Sequence, residues 1–270
     1  MENTSYLLLR LDDAGMCHSV NAAIKKFIEV GLPFSSSIMP PCGWFQEAVD
    51  MFKQYPDISI GVHLTLNSEW HTYKWGPVLG RETVPSLVDD NGYFYISQEK
   101  LINNNPDMKE IENECRAQIE KVIQAGLQVD YLDSHLNILK SSPELKKLWV
   151  KLANDYNLGI SGGYGEEIID LFFVPHKYKK YKLIDRIQDF NPGKYYYDSF
   201  HVGFDNPELQ ALSDMHMKEV GIEYEVSKHR QAELEALCSV EFMEAIDSNK
   251  VRLITYREFI SRKGIKNIKV

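Results

Sequence analysis

Several protein classes are excluded by what this chain has little of. It contains only four cysteines in 270 residues. No two of them form a CxxC pair, so a structural zinc knot is not predicted, and a chain of this length does not need a disulfide scaffold. Lysine and arginine together number 30 against 39 acidic residues, a net charge of −9. Such a chain offers no basic stripe for nucleic acid or an anionic membrane, and a neutral or small polar substrate fits its charge better.

A long apolar run is also missing near the amino terminus. The run that begins at Tyr6 is interrupted by Arg10, Asp12 and Asp13, which leaves it too short for a signal peptide or a membrane-spanning helix. We therefore expect a cytoplasmic protein that does not span a membrane. The composition, 44% hydrophobic and 26% charged, is typical of a globular protein with a substantial core. Because repeats and low-complexity segments are absent as well, we expect a single domain over residues 1–270.

Short apolar runs alternate with longer helical patterns along most of the chain. Alternating strands and helices predict a mainly parallel sheet, so the expected fold class is α/β. About seven such units predict closure into a distorted (β/α) barrel, with an open doubly wound sheet as the alternative. The predicted strands are residues 6–11, 34–39, 58–66, 129–133, 158–161, 168–173, 196–202 and 251–255. The predicted helices include a first one capped by Ser19 and stopped by Gly31, followed by residues 44–55, 107–125, 143–156 and 207–220.

Residues 67–105 form an irregular insertion that is rich in aromatic side chains, including Trp70 and Trp75. Insertions after a strand often lie over the active face of α/β enzymes. Aromatic rings beside polar groups would suit a sugar ring, so Trp75 is a candidate substrate contact. A self-packed surface loop or a subunit contact is equally consistent with this composition, and a subunit contact here would make the protein a homodimer.

Polar side chains stand at the ends of several predicted strands. Asp12 and Asp13 end the first strand, and His63 in "ISIGVHLTL" points away from the aliphatic face of its strand. Two later strands end with "DSH" at 133–135 and with His201 in "YYYDSFHVGF". The carboxyl ends of parallel strands meet at one edge of a sheet. The pattern therefore predicts Asp, His and His around a metal ion, with a spare carboxylate beside them.

Each of these features has a simpler explanation when it is taken alone. A histidine at a strand end is usually a polar residue whose hydrogen bonds are satisfied, and an adjacent acid pair often caps a helix, as Asp13 could do. The prediction rests on the combination, because all the candidates fall at the same end of successive strands.

Four segments of the sequence carry a resemblance to a known family. "LDDAGMCHSVNAAI", "GVHLTLN", "DSHLNI" and "SFHVGF" occur in this order, and the resemblance runs from Asp12 to about Tyr256. Together they resemble the YdjC-like carbohydrate deacetylases, which include chitooligosaccharide deacetylases. The resemblance implies a distorted (β/α) barrel that uses a divalent metal ion to remove acetyl groups from N-acetylated sugars.

The resemblance also implies roles for individual residues. Asp13, His63 and His135 match the family's metal ligands, Asp12 matches its catalytic base, and His201 matches the histidine of its late "HPG" segment. Two imidazoles and one carboxylate suit zinc, with magnesium as the alternative. Asp12 would accept a proton from the attacking water, and His201, as a histidinium, would protonate the departing amine.

The sequence departs from the family pattern near these residues. The family usually reads Asn-Ala before the two acids and Phe-Gly after them, where this chain has Arg10-Leu11 and an Ala-Gly pair. Asn137 and Val202 stand in place of a second histidine and of the proline of "HPG". Every proposed ligand is kept, whereas the pocket wall is altered, so the resemblance does not imply the family's oligosaccharide specificity for this chain.

Two further residues each have two interpretations. Asp133 could orient a metal-binding histidine, or it could make a hydrogen bond that stabilises a turn. Arg230 in "SKHRQAELEAL" is a candidate substrate contact. The general pattern of that segment predicts instead an exposed amphipathic helix, with a local ion pair between Arg230 and Glu233.

The sequence therefore predicts a metal-dependent carbohydrate N-deacetylase. One alternative is a metal-independent glycoside hydrolase, which needs two carboxylates from separate strands. Adjacent Asp12 and Asp13 disfavour it, because successive residues of a strand point to opposite faces. The other alternative is a catalytically silent sugar-binding or regulatory protein with the same barrel, which the departures from the family pattern keep open.

Overall fold

A buried strand of ten residues, β1 (Ser5–Ala14), runs through the middle of a parallel sheet. The computed structural model describes residues 4–219, 221 and 224–269. Within them the sheet follows the order β5-β4-β3-β2-β1-β7-β6, and β8 pairs with the first residues of β1. The other strands are β2 (Ser35–Ile38), β3 (Ser59–Leu64), β4 (Val129–Ser134), β5 (Gly159–Ile160), β6 (Glu167–Ile168), β7 (Tyr195–Phe200) and β8 (Val251–Leu253).

Helices connect the parallel strands, as the alternating pattern predicts. The helices of the described residues are α1 (His18–Ile28), α2 (Phe45–Lys53), α3 (Gln98–Asn103), α4 (Met108–Gln124), α5 (Pro143–Tyr156), α6 (Lys179–Gln188), α7 (Pro207–Gln210), α8 (Met215–Glu219), α9 (Val226–Leu237), α10 (Val240–Ser248) and α11 (Tyr256–Lys263). In that part of the chain, no helix has both the length and the apolar character required to cross a membrane.

The two faces of β1 contribute to different parts of the core. Leu7, Leu9 and Leu11 belong to the larger hydrophobic cluster. Tyr6 and Leu8 belong to a smaller, aromatic-rich cluster that also contains tyrosines of β4 and β7. Since side chains alternate along a strand, Arg10 and Asp12 share a face with Leu8. One face of the sheet is thus aromatic at its amino end and polar at its carboxyl end, where strand-end side chains meet.

The predicted α/β fold of mainly parallel strands is confirmed as a curled half-barrel with surrounding helices. Its path has seven strands, as expected, and β8 adds an eighth. Among the described residues, β5 and β6 lie at the two ends of that path, so the sheet does not close.

Three local predictions were wrong. Ser19 does not cap α1, because the helix begins at His18 with Cys17 at the cap position, two residues earlier than predicted, and the Ser19 hydroxyl instead donates to Asn206 at 2.9 Å. The helix predicted at 207–220 is broken into α7 and α8, and its predicted last residue, Val220, lies outside the described residues. Of the strand predicted at 168–173, only the first residue is in β6. The residues that follow do not continue the strand: Phe172 and Phe173 lie in a turn and line the cavity described below, whereas Ile169 and Leu171 are buried in the core.

The irregular segment 67–105 contains only one short 3₁₀ helix (Pro85–Leu87) and α3 among its residues. Its backbone is hydrogen-bonded to α4: the buried Glu114 carboxylate accepts hydrogen bonds from the backbone N–H groups of Val78 and Leu79, at 2.9 and 3.1 Å. Trp70 and Trp75 are buried. The segment is therefore anchored by polar groups and by buried aromatic rings.

Candidate metal centre and active site

The end of β1 departs from regular strand geometry at the acid pair. The register between β1 and β2 shifts between Leu11 and Ala14, and Asp13 has a left-handed φ of 65°. Such a bulge re-aims side chains that would otherwise alternate. Asp12 and Asp13 consequently both have a carboxylate oxygen within 4.8 Å of a nitrogen of the same histidine, His63. The expectation that the two carboxylates point to opposite faces was wrong, and the bulge is the reason.

Three ligand-type atoms converge beyond this bulge. Nε2 of His63 lies 3.1 Å from Nδ1 of His135, and each nitrogen lies 3.4 Å from Oδ1 of Asp13. All three residues are buried. The structure thus brings together the three residues that the sequence predicted as metal ligands, from the ends of β1, β3 and β4.

This arrangement fits a divalent metal ion. Bonds of about 2.1 Å to a first-row ion place neighbouring ligand atoms about 3.0 to 3.4 Å apart, which agrees with the observed separations. Oδ1 of Asp13 is buried and accepts no hydrogen bond from any described residue. A buried carboxylate oxygen without a donor is costly, and a cation at the centre of the three atoms would satisfy it.

The charges around the imidazoles also favour a cation. Four buried carboxylates surround the two imidazoles, and two buried guanidinium groups form ion pairs with three of these carboxylates. The carboxylates belong to Asp12, Asp13, Glu69 and Asp133, and the guanidinium groups belong to Arg10 and Arg230. Among these six groups, four negative charges face two positive charges. The remaining two negative charges match one divalent ion.

Each candidate ligand is oriented by a carboxylate or guanidinium behind it. Oδ2 of Asp133 lies 2.8 Å from Nδ1 of His63, and the Glu69 carboxylate lies 3.1 Å from Nε2 of His135. Arg230 donates to Oδ2 of Asp13 at 2.6 Å. Such contacts fix which nitrogen or oxygen faces the metal. The location of Asp133 is the one expected for a residue that orients His63.

The imidazoles respond to the surrounding acids. Burial alone would lower the pKa of His63, but Asp133 and Asp12 raise it to about 9. Burial would likewise lower the pKa of His135, but Glu69 and Asp13 raise it to about 10. The centre therefore attracts positive charge strongly, whether as protons or as a metal ion.

Asp12 is held by an arginine on its own strand. Nε and Nη2 of Arg10 donate to the two carboxylate oxygens of Asp12, each at 2.8 Å, and Nη1 lies 3.1 Å from Oδ1 of Asp133. Burial raises the pKa of Asp12, and the Arg10 charge opposes that rise. Asp12 lines the cavity above the centre, as a base must do to reach a water molecule or a substrate.

His201 lines the same cavity as Asp12. Its Nδ1 is buried without a hydrogen-bond partner among the described residues, and its ring lies 5.5 Å from that of Phe172. Burial in this apolar contact lowers the pKa of His201 to about 3. The side chain is therefore neutral at neutral pH, so the sequence-based interpretation of His201 as a resting histidinium was wrong.

A cavity of about 750 Å³ opens above these groups. Arg10, Asp12, His63 and His201 line its polar part, and α3 contributes residues 98, 99, 102 and 103 from the irregular segment. The remaining wall includes Leu136, Asn137, Phe172 and Phe173. Leu136 and Asn137 have left-handed φ angles of 48° and 56°, a backbone strain that is concentrated at functional sites.

Two predicted substrate contacts have other partners. Trp75 donates through Nε1 to the carbonyl of Asn67, its ring centroid lies 6.3 Å from that of His135, and it is not among the cavity-lining residues. Arg230 pairs with Asp13. The expected exposed face on α9 was wrong, since Arg230 and Glu233 are 5% and 3% exposed. Their charges are matched inside the protein, by Asp13 and by Lys179.

Sequence reasoning missed Glu69 and Arg10 as parts of the site. Glu69 lies in the irregular segment, where no periodicity predicts which way a side chain points. Arg10 interrupts an apolar strand, and a buried charge in a strand is a signal that a partner exists. That signal was available from the sequence and would have pointed to the acids.

Comparisons with known proteins agree with this architecture. Residues 6–248 match the family described as YdjC-like protein. A carbohydrate deacetylase of Enterococcus faecalis is 26% identical over 93% of this chain and 96% of its own length, and one of Brevibacillus brevis is 27% identical over 93% and 98%. A solved Enterococcus faecalis protein named "putative cellobiose-phosphate cleavage protein" is 26% identical, has a TM-score of 0.76 and covers 95% of this chain and 99% of its own. With most of its length matched, this chain belongs to the YdjC-like protein family.

Proposed function

We propose that this protein is a metal-dependent hydrolase that removes acetyl groups from N-acetylated sugars or chitooligosaccharides. The observation that carries the proposal is the convergence of His63, His135 and Asp13 on one point, with Asp12 beside it at the base of a large cavity. The names of the deacetylase relatives support the acetylated carbohydrate as the substrate class.

Asp13, His63 and His135 would hold the metal ion. The donor set of two imidazole nitrogens and one carboxylate oxygen suits zinc, with magnesium as the alternative. When bound, such an ion acidifies a water ligand and polarises a carbonyl oxygen. Asp133, Glu69 and Arg230 keep the three ligand atoms aimed at one point.

Asp12 is the general base of the proposed reaction. Its carboxylate faces the cavity and is fixed by the two hydrogen bonds from Arg10. A fixed carboxylate beside the attacking water removes the proton without first reorganising. Water then adds to the acetamide carbonyl, and the bond between carbon and nitrogen breaks to give acetate and the amine.

His201 handles the proton on the amine side. Because its pKa of about 3 keeps it neutral at rest, His201 receives during the reaction the proton that Asp12 took from water and passes it to the departing nitrogen, so both side chains end as they began. One proton then suffices for the cycle, since the proton that Asp12 takes from water equals the one that the amine needs. His201 and Asp12 line the same cavity, which brings both groups to one bound substrate.

The test is a set of product measurements on metal-loaded protein with N-acetylglucosamine and short chitooligosaccharides. The proposal predicts acetate and free amine in equal amounts, loss of both with a chelator, and loss of both in Asp12→Asn protein that still binds metal. New reducing ends without acetate would favour the glycoside hydrolase. Sugar binding with neither product would favour the silent binding protein and would contradict the proposal.

A single-domain organisation over residues 1–270, a cytoplasmic location and a homodimer stay predictions from the sequence. Sedimentation of the purified protein tests the homodimer directly. A sugar contact by Trp75 or Arg230 also stays a prediction; the Trp75 ring lies 6.3 Å from that of His135, and Arg230 pairs with Asp13.

A further inference from the structure

A second group of acidic and imidazole side chains overlaps the proposed metal centre. Asp12, His63 and Asp133 have ligand-type atoms within 4.8 Å of one another, as do Asp13, His63 and His135. His63 belongs to both groups, with Nε2 facing Asp13 and Nδ1 facing Asp133. The chain thus builds two neighbouring positions where a cation would be stabilised.

The second of these positions contains the guanidinium of Arg10. It contacts both oxygens of Asp12 and one oxygen of Asp133, over distances of 2.8 to 3.1 Å. Arg10 is 6% exposed, and both carboxylates are almost fully buried. A guanidinium with this fork geometry can satisfy two carboxylates at once and always carries its charge.

Hydroxyl groups on or next to two other strands also hold the Arg10 guanidinium in place. Nη1 donates to the hydroxyl of Ser161 after β5, and Nη2 donates to the hydroxyl of Ser199 on β7. The Ser161 hydroxyl in turn donates to the hydroxyl of Tyr256 at 2.7 Å. Arg10 cannot move away from the two acids without breaking these contacts, so its position is part of the fold.

We propose that Arg10 is a built-in cation that takes the place of a second metal ion, and that it positions Asp12 directly and His63 through Asp133. The consequence is a centre that binds one metal ion, because the neighbouring position is already filled. The same arginine keeps the base at a fixed distance from the metal ligands. The catalytic part of this inference rests on the proposed deacetylase function, whereas the metal stoichiometry does not.

The first test is the number of zinc ions bound per chain, measured by calorimetry and by metal analysis after dialysis. The wild-type protein and Arg10→Lys are expected to bind one ion. Arg10→Ala, which vacates the position and leaves two unpaired carboxylates, is expected to bind two. Two ions in the wild-type protein, or one ion in folded Arg10→Ala, would overturn the proposal.

The second test separates positioning from stability by steady-state kinetics. Arg10→Lys keeps the positive charge but cannot donate two parallel hydrogen bonds to Asp12. We therefore expect kcat to fall about 10- to 100-fold, with KM changed by less than about twofold. Ser161→Ala leaves the arginine in place, loosens it, and should lower kcat in the same direction by less. An unchanged kcat in both variants would contradict the positioning role, even where Arg10→Ala does not fold.

Arg257 supplies the matched control. It pairs with Asp130 at the start of β4, at 3.0 Å, and is partly buried. Arg257→Lys makes the same chemical change at the opposite end of β4 from Asp133. It should leave kcat and zinc stoichiometry unchanged, and a kcat loss equal to that of Arg10→Lys would show a general effect of stability. If no variant and no wild-type protein releases acetate, the deacetylase proposal fails while the zinc stoichiometry still decides the role of Arg10.

Discussion

Single side chains differ in how directly they act on the proposed metal ion. His63 contributes one of the three converging atoms, whereas Glu69 only contacts the far nitrogen of His135. Replacing an outer contact of this type costs about 10- to 100-fold in metal affinity. We therefore expect that loss in Glu69→Gln and a larger loss in His63→Ala, both measured by zinc calorimetry.

His18 is the control for these histidine and glutamate variants. It is exposed and pairs with Glu47 at 2.8 Å on the surface. His18→Ala should bind zinc as the wild-type protein does. Equal affinity in His63→Ala and His18→Ala would contradict the assigned ligand set.

We expect Asp12 to act on the reaction and not on the metal ion. General-base contributions amount to about 10²- to 10⁴-fold in rate, so Asp12→Asn should lose about that factor in kcat. Its zinc affinity should stay within about tenfold of the wild-type value, because Asp12 is not among the three converging atoms. Rate and affinity that fall together in this variant would identify Asp12 as a ligand instead.

At the scale of elements, the contact between β3 and β4 sets the position of two site residues. Gly61 faces Tyr131 and His63 faces Asp133 in the register of this strand pair. A Cβ at Gly61 would lie 2.2 Å from the buried Tyr131 ring. Gly61→Ala should therefore cost about 1 to 3 kcal/mol of unfolding free energy and weaken zinc binding, as measured by urea unfolding and calorimetry.

Gly43→Ala is the matched control for that substitution. Its added Cβ would meet only the hydroxyl of Tyr73, at 3.6 Å, which is an ordinary contact. We expect its unfolding free energy to stay within about 0.5 kcal/mol of the wild-type value. A Gly61→Ala protein as stable as Gly43→Ala would show that the ring can move aside.

The carboxyl end of β7 holds a buried acid whose ionisation opposes folding. Burial, with the nearby Glu233 charge, raises the pKa of Asp198 to about 7 from an ordinary value of 3.8. The folded chain keeps a proton that the unfolded chain releases. The resulting stability is fully present below pH 3.8 and is lost as the pH rises through about 7, by about 1.4 kcal/mol per pH unit between them.

Asp198→Asn removes this titration while keeping the shape of the side chain. The variant should be less stable than the wild-type protein near about pH 4, because it loses one of two carboxylate hydrogen bonds to backbone N–H groups. It should gain on the wild type as the pH approaches about 8. Urea unfolding of chelator-treated proteins measures the difference, and a difference that does not change with pH would contradict the assignment.

Some elements could be predicted from the sequence because their signals are local. The helix predicted at 143–156 is α5 without a change of boundary: Ser142 caps it, a proline begins it and Asn157 ends it in a left-handed conformation. Strand ends also place His63 and His135 correctly. By contrast, the strand predicted at 168–173 was too long, because the sequence pattern of an apolar run is the same whether the run pairs as a strand or lines a cavity.

The bulge and the carboxylate network could not be read from local signals. The turn of Asp13 toward His63 depends on pairing with β2, and Glu69 reaches His135 from an irregular segment. These contacts arise only when distant parts of the chain meet. Tertiary context therefore decides how the site is completed, even where its ligands are visible in the sequence.

At the scale of the whole molecule, the fold brings together site residues from distant parts of the chain. The curled parallel sheet brings the carboxyl ends of β1, β3 and β4 together, the irregular segment supplies Glu69 and part of the cavity wall, and α9 supplies Arg230. The surplus of buried negative charge at that point is stabilised when protons or a metal cation bind there. A metal ion should thus stabilise the protein as well as activate it.

The central claim is that one divalent ion, held at this point, makes the protein a deacetylase. The most direct measurement is the rate of acetate release from short chitooligosaccharides while zinc is titrated into chelator-treated protein. The account predicts no release at the start, a linear rise and saturation near one ion per chain. Acetate release without metal, or bound zinc without any release from these sugars, would contradict it.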